Sequence, residues 1–446
     1  MATPTVSTKW ERTISTKGST RSTAYMASNK IISHDGLIYA TWLEAPGRSM
    51  IGAFDESGEP VGTPMLLREG IDNHCGASLT VDQHGFLHAV CGSHNELPFD
   101  HRITRKPWSW DNWWTARPIS DSPTYPSVVC GLDNRLHLTY RWWQNIAIRG
   151  GPKSYRVTPS LGYQRTRPGM SWDGFGHRYD PVPVWSDPAS MIVPLVPNRY
   201  CQYGSSLAVD GLGRLHLGFH VYDQKYTERG HTVGYMTSAD GGETWTNARG
   251  DELTLPCGPT GADTLESDFD GDIETAPFDM RASNVAVTPE GNPMIVAFHR
   301  EDGHATLWES VPDDAKSGPV WRSTNLLPVL REHDEQRYFS MDGTVTVDAA
   351  GNTYVAAQTV SELGHWGDGD SEVVLLLRPS GTQSWHVVDI SEHTAYVPNW
   401  HPSLERIASP FQTMGTPYLL YQHGTKGTGC ETYDNTEVRL VALTVE

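Results

Sequence analysis

The chain has 446 residues and a formal net charge of −19. A surface this acidic repels phosphate, so the charge excludes a general nucleic-acid binder and only weakly disfavours an acidic polymer as a ligand. The sequence has no apolar run near the length that spans a bilayer, and its Gly, Pro, Val, Thr and aromatic content favours a strand-rich protein without a membrane partner.

The two ends of the chain both look like strands. The segment TKWERTIST covers residues 8–16, and TEVRLVALTVE covers residues 436–446. The last repeat described below is one strand short, so we expect the N-terminal segment to pair beside the C-terminal one. This pairing would remove an exposed sheet edge.

A short sequence motif recurs seven times between these ends: an apolar strand, a turn rich in Asp, Asn and Gly, and a second apolar strand. Five clear copies cover residues 78–94, 127–143, 206–222, 284–300 and 344–358, and two weaker copies cover 29–44 and 403–424. A spacing of roughly 50 to 80 residues is typical of radial repetition. The sequence therefore predicts an all-β fold, a seven-bladed β-propeller closed by the N-terminal strand, with residues 1–446 as a single domain.

Residues 144–200, between the third and fourth repeats, exceed what a plain blade requires. We expect a long loop insertion there, rich in Pro, Gly, Tyr, Trp and Arg, that overhangs the pocket. Trp172 would stack on a sugar ring, although aromatic packing within the loop explains it equally well. Whether the loop closes the pocket or flanks an open groove decides between exo and endo action, and the sequence leaves both open.

Residues 238–245, SADGGETW, match the Asp-box pattern S-x-D-x-G-x-T-W. In such a turn Asp240 caps backbone N–H groups, glycine takes a positive φ and Trp245 packs beneath. The box predicts an outer hairpin of the fourth blade and supports the fold rather than the chemistry.

Propeller geometry predicts which side chains meet at one end of the central axis, here called the mouth. The residues just before the first inner strand and just after the second share a face, near the axis. This brings together His74 and His94 in the second repeat and adds residues from the other repeats: Tyr140, Arg141, Arg149, Arg156, Tyr203, His220, Arg281, His299, Arg300, Trp400, His401 and His423. Such a cluster of titratable side chains is typical of a ligand pocket.

A set of His, Tyr and Arg without an evident pair of carboxylates suits β-elimination on a uronic acid. Arg or protonated His can neutralise the sugar carboxylate, and Tyr or His can move the proton. Glycoside hydrolysis usually needs two positioned carboxylates instead.

The stretch NHCGASLTVDQHGFLHAVCGSHN (73–95), with RLHLTYRWW (135–143), KSYRV (153–157) and the Tyr203 to His220 hairpin, resembles the seven-bladed propeller polysaccharide lyases. These are the ulvan lyases and the rhamnose-glucuronate lyases acting on gum-arabic-type glycans. The resemblance implies a secreted enzyme that cleaves the rhamnose-(1→4)-glucuronate bond and leaves a 4,5-unsaturated uronate.

The resemblance also implies roles for the individual residues. His74 and His94 would be the active-site histidines, Tyr140 the proton-transferring tyrosine and Arg156 the carboxylate-neutralising residue. Tyr203 and His220 would bind substrate, together with Arg281, His299, Arg149 and Trp172. An alternative mechanism remains open, in which a histidine takes the C5 proton and Tyr140 only protonates the leaving oxygen.

Several alternatives stay open beside this prediction. A sialidase-like hydrolase would share the Asp box, and a carbohydrate-binding propeller would use the same aromatics without turnover. We expect a monomer that needs no cofactor, although a structural Ca²⁺ at Asp268, Asp270 and Asp272 or a Zn²⁺ on the mouth histidines are alternatives. The six cysteines lack CxxC spacing and would be either disulfides or buried thiols.

Overall fold

The computed structural model describes residues 5–95, 97–143, 159–167, 183–193, 200–225, 228–258, 260–267, 280–313, 318–363, 369–394, 396–424 and 434–446. Within these ranges the chain is almost entirely β-structure, arranged in six sheets. None of the described helices is long and apolar enough to cross a membrane.

The strands follow one another as successive antiparallel groups, here called units 1 to 7. The chain begins with β1 (Val6–Ser19), which belongs to unit 7. Unit 1 contains β2 (Ile31–His34), β3 (Leu37–Glu44), β4 (Arg48–Asp55) and β5 (Met65–Glu69). Unit 2 contains β6 (Ala77–Val81), β7 (Leu87–Cys91), β8 (Asp100–Thr104) and β9 (Trp113–Thr115). Unit 3 contains β10 (Pro123–Cys130), β11 (Leu136–Trp143), β12 (Pro159–Arg165) and β13 (Ala189–Ile192).

The second half of the chain continues the same pattern. Unit 4 contains β14 (Tyr200–Val209), β15 (Leu215–Lys225), β16 (Glu228–Ser238) and β17 (Asp263–Ser267). Unit 5 contains β18 (Met280–Ala282), β19 (Ala286–Val287), β20 (Pro293–His299), β21 (Ala305–Val311) and β22 (Val320–Asn325). After α1 (Leu327–His333), unit 6 contains β23 (Tyr338–Val347), β24 (Thr353–Val360), β25 (Glu372–Arg378) and β26 (His386–Asp389). Unit 7 contains β27 (Asn399–Leu404), β28 (Tyr418–Gly424) and β29 (Asp434–Val445), with β1 as its fourth strand.

All seven predicted inner hairpins are present. They are the first two strands of each unit except unit 5, where β18 and β19 both pair with β20. Their turns share one arrangement, in which the Oδ1 of an aspartate accepts two backbone N–H groups. A glycine at positive φ follows three residues after the aspartate. The clear copies are Asp82 with Gly85, Asp210 with Gly213 and Asp348 with Gly351. The Asp box is built as predicted, since Asp240 accepts the N–H groups of Glu243 and Thr244 and Trp245 is buried.

The predicted pairing of the chain ends is confirmed. β1 runs antiparallel to β29 from Val6↔Val445 to Ser19↔Asp434. It also touches β3 through the pair Gly18↔Glu44, which joins units 7 and 1 into an eight-stranded sheet.

The predicted loop insertion at 144–200 needs a correction. β12 and β13 lie inside this interval, and β12 pairs with β11 from His137↔Arg165 to Trp143↔Pro159. These residues complete unit 3, because β11 would otherwise leave an unpaired edge. The interval is therefore not a loop throughout.

The hydrophobic core lies between neighbouring units rather than at one centre. Buried clusters join units 1 and 2, 2 and 3, 3 and 4, 4 and 5, 5 and 6, 6 and 7, and 7 and 1. Sheets covered on both faces have few polar positions, which explains why inner strands such as β24 are buried along their whole length. Cys75, Cys91, Cys130 and Cys257 are free thiols.

Candidate active site

His74 and His94 lie together, as the hairpin geometry predicts. His74 precedes β6 and His94 follows β7, and an antiparallel hairpin returns the chain to the face from which it started. Their imidazole rings stack with centroids 4.1 Å apart and planes inclined by 20°.

Asp72 fixes the orientation of both rings. Its Oδ1 accepts the backbone N–H of His74 at 2.8 Å and lies 3.1 Å from Nδ1 of the same ring, while its Oδ2 lies 2.6 Å from Nδ1 of His94. Burial raises the pKa of Asp72, but the hydrogen bonds from both histidines hold it well below its usual range. A carboxylate only accepts, so each histidine carries its proton on Nδ1.

Arg21 determines the state of His74. Its Nη1 donates to Nε2 of His74 at 2.9 Å, and a guanidinium has no acceptor, so this nitrogen holds a lone pair. Burial, and then the charges of Arg21 and His94, lower the pKa of His74 to about 4 against the opposing Asp72 hydrogen bond. His74 is therefore neutral near pH 7, with both ring nitrogens engaged.

His94 is in a different position. Its side chain is 21% exposed, and within the described part of the chain its Nε2 has no hydrogen-bond partner. A partly exposed histidine that a carboxylate orients at Nδ1, and whose Nε2 makes no hydrogen bond, has the geometry of a general base.

Two tyrosines lie beside the pair. Tyr25 and Tyr125 stack at 4.6 Å, and their ring centroids lie 5.9 and 6.2 Å from that of His74. The Tyr25 hydroxyl donates to the backbone oxygen of Asn73 at 3.0 Å and accepts from Arg21 at 3.2 Å. Burial raises the pKa of Tyr25 well above its usual value, so near pH 7 it is a neutral phenol, which excludes a role as the base but not as a proton donor.

A bulge in β10 brings Tyr125 to this position. The register of β10 with β11 shifts between Thr124 and Ser127, and Tyr125 has a φ of 61°. β-bulges commonly redirect a side chain next to a functional site.

Tyr140 is not part of this cluster. It is fully buried, its ring meets Phe99 edge-on at 5.6 Å, and its hydroxyl donates to Oε1 of Gln164 at 2.7 Å. Burial holds its pKa well above its usual value. The position between units 2 and 3 does not support the predicted proton-transfer role, because the phenol points into the core.

A second polar group continues across the mouth. His401 Nδ1 lies 3.0 Å from Asp342 Oδ2, and Arg281 Nη1 lies 3.5 Å from Asp342 Oδ1. Burial lowers the pKa of His401 and the charges of Arg21 and Arg281 lower it further, while Asp342 opposes them. The charge of Arg21 thus acts on both His74 and His401.

The remaining predicted residues are spread more widely. His220 stacks on His231, with Nε2 and Nδ1 3.0 Å apart, and burial lowers its pKa well below its usual value. His299 pairs with Glu266 at 2.7 Å and stacks on His304. The backbone of Tyr203 pairs with Val221, but its side chain lies outside the described residues. Other predicted residues also lie outside the described ranges: Arg149, Arg156, Trp172, Asp268, Asp270 and Asp272.

Sequence reasoning missed the groups that organise the site. Asp72 was detectable, since it lies two residues before His74, whereas Tyr125 depends on a bulge. Arg21 and Tyr25 follow β1, and only the path of this segment across the mouth places them there. Thr23 Oγ1 bonds the His401 oxygen at 2.8 Å and thereby holds the segment in place.

The same cluster provides a candidate metal-ligand set. One ligand atom each from Asp72, His74 and His94 lies within 4.8 Å of the others, and these residue types suit Zn²⁺. However, both histidines already bond Asp72 through Nδ1, and the Arg21 guanidinium lies 2.9 Å from Nε2 of His74. A divalent ion there would meet that positive charge, which disfavours metal binding, and the Zn²⁺ alternative stays a prediction.

Comparisons with solved structures show the fold. The PL25 ulvan lyase matches with a TM-score of 0.62 and 13% identity, over 94% of this chain and 92% of that chain. A second structure of it, bound to -[GlcA(1-4)Rha3S]-, gives 0.61 at 13% identity over 94% and 92% of the two chains. The polysaccharide lyase Uly1 gives 0.54 at 13% identity, over 97% of this chain and 99% of that chain. This likeness shows a shared β-propeller-like fold.

The search of curated proteins by sequence finds no match. The model of a family described as "BNR repeat-containing family member" matches residues 37–317, which is more than half of the chain. The chain therefore belongs to the BNR repeat-containing family.

Proposed function

We propose that this protein is a polysaccharide lyase that cleaves the rhamnose-(1→4)-glucuronate bond by β-elimination and leaves a 4,5-unsaturated uronate. The observation that carries the proposal is the Asp72–His94 pair, whose partly exposed imidazole stacks on His74, which in turn contacts Arg21 and lies beside two tyrosines. The ulvan lyase likeness supports the same reaction class, and ulvan or a gum-arabic-type glycan is the proposed substrate.

The proposed reaction uses these groups in turn. His94 Nε2 takes the C5 proton, and Asp72 stabilises the imidazolium that forms. The electron pair of the C5–H bond becomes the C4–C5 double bond as the C4–O bond breaks. Tyr25 or Tyr125 gives a proton to the leaving oxygen, in the role that the sequence assigned to Tyr140.

His74 holds Arg21 in place rather than exchanging the proton, because both of its ring nitrogens are engaged. Arg156 keeps its proposed role in neutralising the uronate carboxylate. Tyr203, His220, Arg281, His299, Arg149 and Trp172 remain the proposed contacts to the rest of the glycan.

We also propose that units 1 to 7 are the blades of one closed propeller. The first strands of neighbouring units contact one another in the order β2, β6, β10, β14, β19, β23 and β27, and β28 contacts β2. The hydrophobic cluster between units 7 and 1 supports the same closure. A secreted monomer that needs no cofactor completes the proposal.

The test is an ultraviolet absorbance assay for unsaturated uronate against ulvan, gum arabic, heparinoids, alginate and pectin, with mass analysis of the products. We expect absorbance to rise with ulvan or gum arabic, and to do so equally after treatment with a chelator. Products that carry an added water, without absorbance, would indicate a sialidase-like hydrolase. Binding without any product would indicate a carbohydrate-binding protein.

A further inference from the structure

Arg141, near the end of β11, is a buried cation held between aromatic rings. It is 2% exposed, and its guanidinium carbon lies 4.6 Å from the Tyr125 ring centroid and 5.7 Å from that of Trp143. Contacts with aromatic faces stabilise a guanidinium and fix its plane.

The charge of Arg141 is only partly compensated. Its Nη2 donates to Oδ1 of Asn95 at 3.1 Å, and the same oxygen accepts from Thr124 at 2.7 Å. Within the described ranges its Nε is buried without a partner, and no carboxylate there pairs with the guanidinium. A buried cation without a counter-charge is costly, so the site is suited to an anionic ligand.

The position of Arg141 connects it to the histidine pair. Asn95, its hydrogen-bond partner, directly follows His94, and Tyr125, on which it stacks, lies 6.2 Å from His74. An anion bound by Arg141 would therefore lie next to the Asp72–His94 pair.

We propose that Arg141 binds the carboxylate of a uronate, with Tyr125 and Trp143 holding the guanidinium and Asn95 orienting it. The proposal rests on the proposed function and identifies an anchor in addition to Arg156. When the C5 proton leaves, negative charge spreads onto the uronate carboxylate, and a preorganised guanidinium stabilises that charge without having to release a protein carboxylate first.

The test measures binding without turnover, by titrating the protein with methyl glucuronide and with the neutral methyl glucoside. Wild type should prefer the glucuronide, and Arg141→Gln should lose that preference by on the order of tenfold. Arg322→Gln, on the exposed outer strand β22, is the control and should bind as wild type does. Thermal unfolding checks that each variant is folded.

A second variant covers the case in which Arg141→Gln does not fold. Asn95→Asp keeps the side-chain shape but places a carboxylate against the Arg141 guanidinium, so the protein should fold and lose its glucuronide preference. If wild type shows no preference for the glucuronide, or a folded variant retains it, Arg141 is not the anchor. If a folded variant loses the preference but the wild-type protein makes no unsaturated product, Arg141 is still the carboxylate anchor. In that case only the lyase proposal is wrong.

Discussion

Oδ2 of Asp72 lies 2.6 Å from Nδ1 of His94, and Oδ1 of the same carboxylate lies 3.1 Å from Nδ1 of His74. One carboxylate thus orients two stacked imidazoles, but Arg21 occupies the outer nitrogen of only one of them. This asymmetry separates a positioning histidine, His74, from a proton acceptor, His94.

His94→Gln should reduce turnover by about 10²- to 10⁴-fold, the usual contribution of general-base catalysis. His84→Gln is the matched control, because His84 is exposed on an inner-hairpin turn at the opposite face. Initial rates of unsaturated product formation measure the effect. Equal rates in the two variants would remove His94 from the mechanism.

Asp72→Asn should lower kcat by on the order of 10²-fold or more with little change in KM. The two Nδ1–H groups bond different oxygens of the carboxylate, and an amide replaces one of these oxygens with an NH2 donor, which cannot accept a hydrogen bond. One of the two imidazoles must then change tautomer or turn away. A variant in which KM rises while kcat stays constant would indicate that Asp72 serves binding rather than orientation.

Tyr140→Phe should leave turnover unchanged, whereas Tyr25→Phe or Tyr125→Phe should reduce it. The sequence alone predicts the opposite for Tyr140, but its hydroxyl bonds Gln164 inside the core. Losing that bond should cost about 1–3 kcal/mol of the free energy of unfolding. Urea titration and the absorbance assay together distinguish the two kinds of effect, and loss of activity in a folded Tyr140→Phe protein would restore its predicted role.

The free energy of unfolding should decrease as the pH falls from about 6.5 to 4, because the pKa of His74 is lowered in the folded protein. The unfolded chain binds the His74 proton below about pH 6.5, but the folded protein binds it only near pH 4. Between these two pH values the unfolded state therefore binds more protons than the folded state. The contribution of His74 to the free energy of unfolding is complete above about pH 6.5 and falls by about 3 kcal/mol as the pH decreases to about 4. Urea unfolding at both ends of the window should show a smaller loss for His74→Gln than for wild type.

Gly18→Ala should destabilise the junction of the chain ends by about 1–3 kcal/mol and reduce activity. A Cβ there would clash with Ser22 Oγ and Thr436 Oγ1, and the segment that carries Arg21 and Tyr25 begins directly after it. Gly415→Ala is the control, because its Cβ would have no atom within 4 Å. Equal melting temperatures for the two variants would contradict the importance of this junction.

The local sequence determined the hairpins and the meeting of His74 with His94. Both follow from short-range rules: apolar strands alternate with Asp- and Gly-rich turns, and a hairpin returns the chain to its starting face. The same reasoning predicted the pairing of β1 with β29, because an incomplete last repeat leaves an edge that another strand must cover.

Only the tertiary structure decided which neighbours of these histidines take part. Tyr140 and Arg141 are adjacent in β11 and point to opposite faces, and both faces are buried, so the alternation of polar and apolar residues does not show which one lies beside the histidine pair. Arg21 and Tyr25 reach His74 from more than forty positions away along the chain. Contacts of that kind depend on how separate units pack, which no local pattern in the sequence encodes.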